Sequence, residues 1–107
     1  MSCRNSIAAA LLALVLPLAP SAAVANDALA RKHGCLGCHA VASKLVGPSY
    51  QDVAARYAGQ PDARATLSAS IRQGGSGKWG DMAMPPQTKL SDADVQRLAN
   101  WILGGAK

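Results

Sequence analysis

Cys35, Cys38 and His39 stand in one run, Cys35-Leu36-Gly37-Cys38-His39. Two thiols at this spacing can exchange with a disulfide, contribute to a zinc site, or be alkylated. The histidine that follows at once makes the third chemistry the specific one, because C-x-x-C-H is the pattern by which a chain attaches a c-type haem. On a helical turn, residues three apart share one face. Cys35 and Cys38 can then each add to one vinyl group of the same porphyrin, forming two thioether bonds. His39 lies four residues after Cys35, on the same side, where its imidazole can reach the iron; histidine is the usual proximal ligand. Thiol–disulfide exchange normally uses a βαβ framework. A zinc site would have two cysteines and two histidines to draw on in the exported chain, with His33 and His39 crowding one motif.

Short helices have to position these groups. Asn26 or Asp27 can cap a helix over residues 28–33, which runs into Gly34 and the motif. Ser49 can cap a second over residues 50–58, with Val53 and Tyr57 four apart and Gly59 as its stop. Asp62 opens a third, in which Leu67 and Ile71 are spaced i,i+4 and Gly74-Gly75 end the run. Ser91 and Asp94 resemble a capping box, with Asp in place of the usual Glu. The last helix carries Val95, Leu98, Ala99 and Ile102 on one stripe and stops at Gly104. No stretch alternates as a strand, so the expected fold class is all-α.

Residues 1–25 read as a cleaved secretory signal peptide. Arg4 supplies a positive start, residues 7–18 an apolar run, and Ala23-Val24-Ala25 a small-x-small cleavage site, so the exported chain starts at Asn26. The apolar run is too short to span a bilayer, which excludes stable membrane insertion. Cys3 precedes the run and leaves with it. Residues 26–107 then form one domain, a length at which chains without a large core often need a staple. With no Phe, two Trp and two Tyr, a protein-only core would be thin; a covalent macrocycle supplies a large apolar disc. Without Arg4, ten basic residues face six acidic ones, a net charge of +4. That is far from a nucleic-acid-binding profile. It leaves a weak field that can steer an acidic partner.

Between the third and last helices lies Gly75-Ser76-Gly77-Lys78-Trp79-Gly80-Asp81-Met82-Ala83-Met84-Pro85-Pro86. This Gly- and Pro-rich stretch cannot be regular helix. It can lie as an ordered loop across the open face of a haem, and either Met82 or Met84 could bring a thioether sulfur to the iron.

With these residues assembled, the chain resembles the short class I monohaem cytochromes c, of the kind that denitrifying bacteria use as periplasmic electron carriers. The resemblance rests on Gly34-Cys35-Leu36-Gly37-Cys38-His39-Ala40, Val46-Gly47-Pro48-Ser49-Tyr50, Asp52-Val53-Ala54-Ala55, Gly77-Lys78-Trp79-Gly80, Met84-Pro85-Pro86 and Leu98-Ala99-Asn100-Trp101-Ile102. It implies about four short helices packed around one covalent haem c. By resemblance, Cys35 and Cys38 are the thioether residues and His39 and Met84 the axial iron ligands, Met84 because the family places its ligand directly before Pro. The resemblance further implies that the Pro48 carbonyl accepts the second ring N–H of His39, and that the Trp79 indole donates to a propionate. Two positions depart from close relatives. Ser70 stands where a basic residue can pair with a propionate, so that Arg72 or Lys78 would have to substitute. Ala30 stands where a large aromatic can pack. His33, on a polar face, is expected to be solvated.

The function expected is one-electron transfer without bond chemistry, so not an enzyme. The expected partners are redox proteins: a membrane quinol-oxidising complex upstream and a periplasmic reductase or terminal oxidase downstream. A monomer is the default. The competing reading is a haem enzyme or gas sensor in which Met84 leaves the iron.

Overall fold

A computed structural model describes residues 10–18 and 22–107 of the protein. Cys3, Arg4, the first part of the apolar run (7–9) and residues 19–21 lie outside the described residues. Residues 10–18 form no regular element and leave Leu11, Leu12, Leu14 and Leu18 on the surface. No described helix is long and apolar enough to cross a membrane.

Among the described residues four α-helices follow one another: α1 (Ala22–Lys32), α2 (Tyr50–Tyr57), α3 (Ala63–Gln73) and α4 (Asp92–Leu103), with a 3₁₀ turn at Cys35–Gly37 between α1 and α2. Among the described residues the one β pairing is an isolated antiparallel bridge between Gly75 and Met84. The fold is all-α, as the helical spacings require.

The helix boundaries follow local chemistry, with one difference from expectation. Helix α1 starts at Ala22, so Asn26 and Asp27 sit inside it instead of capping it. Alanine is the best helix former, and the Ala-rich stretch carries the helix back past the cap signal. Asp27 instead forms an i,i+4 ion pair with Arg31 at 3.0 Å. Asp62 opens α3 as its N-cap residue, as expected, although without a side-chain cap bond; the Ala63 N–H is taken by the Gln60 carbonyl at 3.2 Å. At the end of α4, Gly104 keeps a right-handed φ of −79° and Gly105, at +86°, turns the chain. The Gly105 and Ala106 N–H groups return to the Ile102 and Trp101 carbonyls, each at 2.9 Å. That pattern is a Schellman closure with Gly104 as the C-cap, where the sequence stops the helix.

Elsewhere the caps fall where the sequence places them. Ser49 Oγ accepts the Asp52 N–H at 3.0 Å, and Ser91 Oγ accepts the Asp94 N–H at 3.1 Å. Helix α2 turns Tyr50, Val53 and Tyr57 inward, α3 turns Ala63, Leu67 and Ile71, and α4 turns Val95, Leu98, Ala99, Trp101 and Ile102. Helix α4 packs against all three of the others, so its stripe is the spine of the core. Trp101 meets the Tyr50 ring edge-on, with centroids 5.3 Å apart, a favourable aromatic geometry. Ala30 is fully buried. The core has one open side, where Tyr50, Val53, Leu67, Ile71 and Leu98 also line a cleft.

Candidate functional site

The cleft has a volume of about 370 Å³, and Cys35, Cys38, His39, Pro48, Trp79 and Met84 all border it. The motif residues reach it from the 3₁₀ turn, whose tight geometry comes from Gly34 at φ +75° followed by bonds from the Cys38 and His39 N–H groups to the Cys35 carbonyl. Cys35 is half-buried and Cys38 exposed, and no disulfide joins them. Burial pushes the Cys35 thiol up, with a smaller upward push from Cys38. A redox-active C-x-x-C site needs the opposite, a depressed thiol.

His39 is held on three sides. Its Nδ1 lies 2.7 Å from the Pro48 carbonyl oxygen. A carbonyl can only accept, so Nδ1 carries the hydrogen and Nε2 keeps its lone pair in the neutral ring. The Tyr50 ring stacks on the imidazole at 5.3 Å and 17° between planes. Gly47 covers the ring, for a Cβ there would come within 2.5 Å of Cε1. The turn that delivers Gly47 and Pro48 is itself tied to the motif by the Gly47 N–H donating to the Cys38 carbonyl at 2.8 Å.

Met84 reaches the cleft on the segment joining α3 to α4. Its N–H donates to Gly75 at 2.8 Å, and its carbonyl accepts from Gly75 at 3.0 Å. Farther along, the Gln87 N–H donates to the Ile71 carbonyl at 3.1 Å. Met82 also borders the cleft, but it is 68% exposed and makes no such backbone pair. Of the two methionines, Met84 is the one whose backbone is fixed.

Trp79 is half-buried against the core, with the Arg56 guanidinium 4.4 Å above its ring. Such stacking fixes the indole plane and the cation together. Lys78 Nζ donates to Ser70 Oγ at 3.3 Å, so a cation does reach the position where Ser70 replaces a basic residue. Arg72 is occupied elsewhere: it donates to the Gln87 and Leu90 carbonyls and pairs with Asp92. It is therefore not free to face the cleft. His33 is only half-exposed and borders the cleft, in contrast to the solvated position expected of it.

Three glycines do more than their places in the sequence suggest. In sequence Gly47 is one half of a Gly-Pro turn, and Gly74 and Gly75 are a helix stop. The structure adds that Gly47 has to lie against an imidazole. It also shows the pair after α3 receiving Met84. A Cβ on Gly74 would collide with the Met84 carbonyl, and its φ of +64° already disfavours one. Helix-ending glycines signal only the end of a helix; a partner nine residues on leaves no local mark.

Two thiols, an imidazole with a bare Nε2 and a thioether around one mostly apolar cleft fit a covalently attached macrocycle. The comparisons agree. The family model for cytochrome c matches residues 24–106. A cytochrome c-552 of Hydrogenobacter thermophilus is 51% identical over 79 residues, 74% of this chain and 80% of that protein. A cytochrome c-551 of Pseudomonas aeruginosa is 47% identical over 77 residues, 72% of this chain and 73% of that protein. The crystal structure of Nitrosomonas europaea cytochrome c552 superposes with a TM-score of 0.72 at 47% identity, covering 74% of this chain and 98% of that one.

Proposed function

Because the chain belongs to the cytochrome c family, as a small class I monohaem member carrying one covalent haem c, we propose that it is a periplasmic one-electron carrier with His39 and Met84 as axial ligands. Haem c supplies a single iron that can take up and release one electron. The observation that carries the reading is that two separately anchored donors border one mostly apolar cleft that both cysteines also border. His39 is fixed by Pro48 and Gly47, and Met84 by its backbone pair with Gly75.

In this reading each residue has a separate task. Cys35 and Cys38 hold the porphyrin covalently. The hydrogen bond from Nδ1 to Pro48 fixes the His39 ring and keeps Nε2 directed for coordination. The Met84 thioether, a soft ligand, favours ferrous iron and raises the reduction potential. Trp79, steadied by Arg56, offers an N–H for a propionate, and Lys78 a positive charge beside it. The apolar walls exclude water, which limits the reorganisation that accompanies a change of iron charge.

With both axial positions taken, there is no open site for substrate and no enzymatic step. Leu45 and Val46 are about half-exposed close to the cleft mouth, with Lys44 beside them, and offer a small apolar contact for transient redox partners. Those partners are a quinol-oxidising membrane complex on the donor side and a reductase or terminal oxidase on the acceptor side. Export follows from residues 1–25, cleaved after Ala25; the exported chain keeps the part of α1 from residue 26 onward.

Mixing the ferrous protein with carbon monoxide tests the closed site. Spectra unchanged at neutral pH are expected. Rapid, stoichiometric carbon monoxide binding would favour a gas-binding or catalytic haem over a carrier.

A further inference from the structure

The guanidinium of Arg72 makes three bonds across the end of α3, and all go to the chain downstream of Met84. Nη1 donates to the Gln87 carbonyl at 2.9 Å and to the Leu90 carbonyl at 2.7 Å, while Nη2 reaches Asp92 Oδ1 at 2.8 Å. The Asp92 carboxylate is 93% exposed, so that ion pair is screened and adds little. The two carbonyl bonds are different. They are charge-assisted, short and partly buried, and they satisfy acceptors on an irregular stretch that has no helix or strand partner of its own.

We propose that Arg72 is a positioning residue, a latch that holds the Met84 segment closed over the cleft. The segment is attached to α3 at three levels. Gly75 pairs with Met84 at its near end, the Ile71 carbonyl receives the Gln87 N–H in the middle, and Arg72 grips the carbonyls of Gln87 and Leu90 beyond. Of these, only the Arg72 contacts come from a side chain, so only they can be removed without altering the backbone. Arginine suits the task because its planar fork presents several donors at fixed angles, whereas a lysine is a point charge. A lysine at this position should therefore hold the segment only in part.

The latch matters for function through the reading of Met84 as an iron ligand, on which its functional consequence rests. Opening of the segment would withdraw the sulfur and expose the iron. The test uses the haem-loaded protein and its Arg72→Gln and Arg72→Lys variants, with two readouts. Amide hydrogen exchange at Gly75, Met84 and Gln87 reports opening of the segment without reference to the iron. The rate of carbon monoxide capture by the ferrous protein reports loss of the ligand.

In Arg72→Gln the three amides should exchange about tenfold faster or more, the scale set by losing charge-assisted bonds. Amides of α4 should stay near their wild-type rates, and Arg72→Lys should fall between. Equal acceleration of the segment and α4 amides would show a general loss of stability, and unchanged exchange would show no latch; either overturns the proposal. If the amides respond while carbon monoxide capture does not, the latch stands and Met84 is not the ligand that guards the iron.

Discussion

Gly75 and Met84 exchange both of their backbone hydrogen bonds, at 3.0 and 2.8 Å, joining the end of α3 to the middle of the segment that crosses the cleft. The pair does more than a turn would. It fixes one particular residue of a Gly- and Pro-rich stretch at the edge of the cleft, and it does so through backbone, so the choice of methionine is left free for chemistry.

The neighbouring glycine makes that contact possible, and it gives a first prediction. Gly74→Ala puts a methyl group into the Met84 carbonyl and strains a left-handed φ. A loss of about 1–3 kcal/mol in urea unfolding is expected. Weakened far-red absorption of the ferric protein should accompany it, since the displaced atoms belong to Met84, Pro85 and Pro86.

Gly47→Ala acts on the other face. Its Cβ would stand 2.5 Å from Cε1 of His39 and 2.9 Å from Nδ1, so the ring has to tilt away from the Pro48 carbonyl. Perturbing a group that orients a ligand typically costs about 10–100-fold in metal affinity or activity. The variant should show a shifted reduction potential by voltammetry and a reduced yield of haem-stained protein. A wild-type potential would show that Gly47 is not needed to orient the imidazole.

Leu98, only 2% exposed, lies in α4 where the core and the cleft wall meet. Leu98→Ala should cost about 2–5 kcal/mol, the range for truncating a buried leucine. Thermal unfolding of the haem-loaded protein measures it. A cost well below that range would mean that the site collapses onto the cavity more readily than a rigid macrocycle beside it should allow.

The parts of this molecule that were legible in the sequence are those written in local spacing. The Val95, Leu98, Ala99 and Ile102 stripe fell on the buried face of α4, and Ser49 and Ser91 cap helices as their positions require. The motif at residues 35–39 and the family it points to could be read directly, because covalent attachment dictates a short fixed pattern. The start of α1 could not, since an N-cap signal at Asn26 competes with the helix propensity of the alanines before it, and propensity prevailed. Helix α4 stops at Gly104 as its sequence requires, while which of the two adjacent glycines takes the positive φ is left equal by sequence alone. Arg72 was the least legible. As one of ten scattered cations it read as surface or as a propionate partner, and only its placement opposite two unpaired carbonyls reveals the contact it makes.

The central claim, two protein ligands closing both faces of the iron, is tested most directly by the optical spectrum of the purified ferric protein. The weak far-red band of a thioether–iron bond should be present in the wild type, retained in Met82→Ala and lost in Met84→Ala. A high-spin or bis-histidine spectrum in the wild type would contradict the account, with His33, at the edge of the same cleft, the first residue to examine as the alternative ligand.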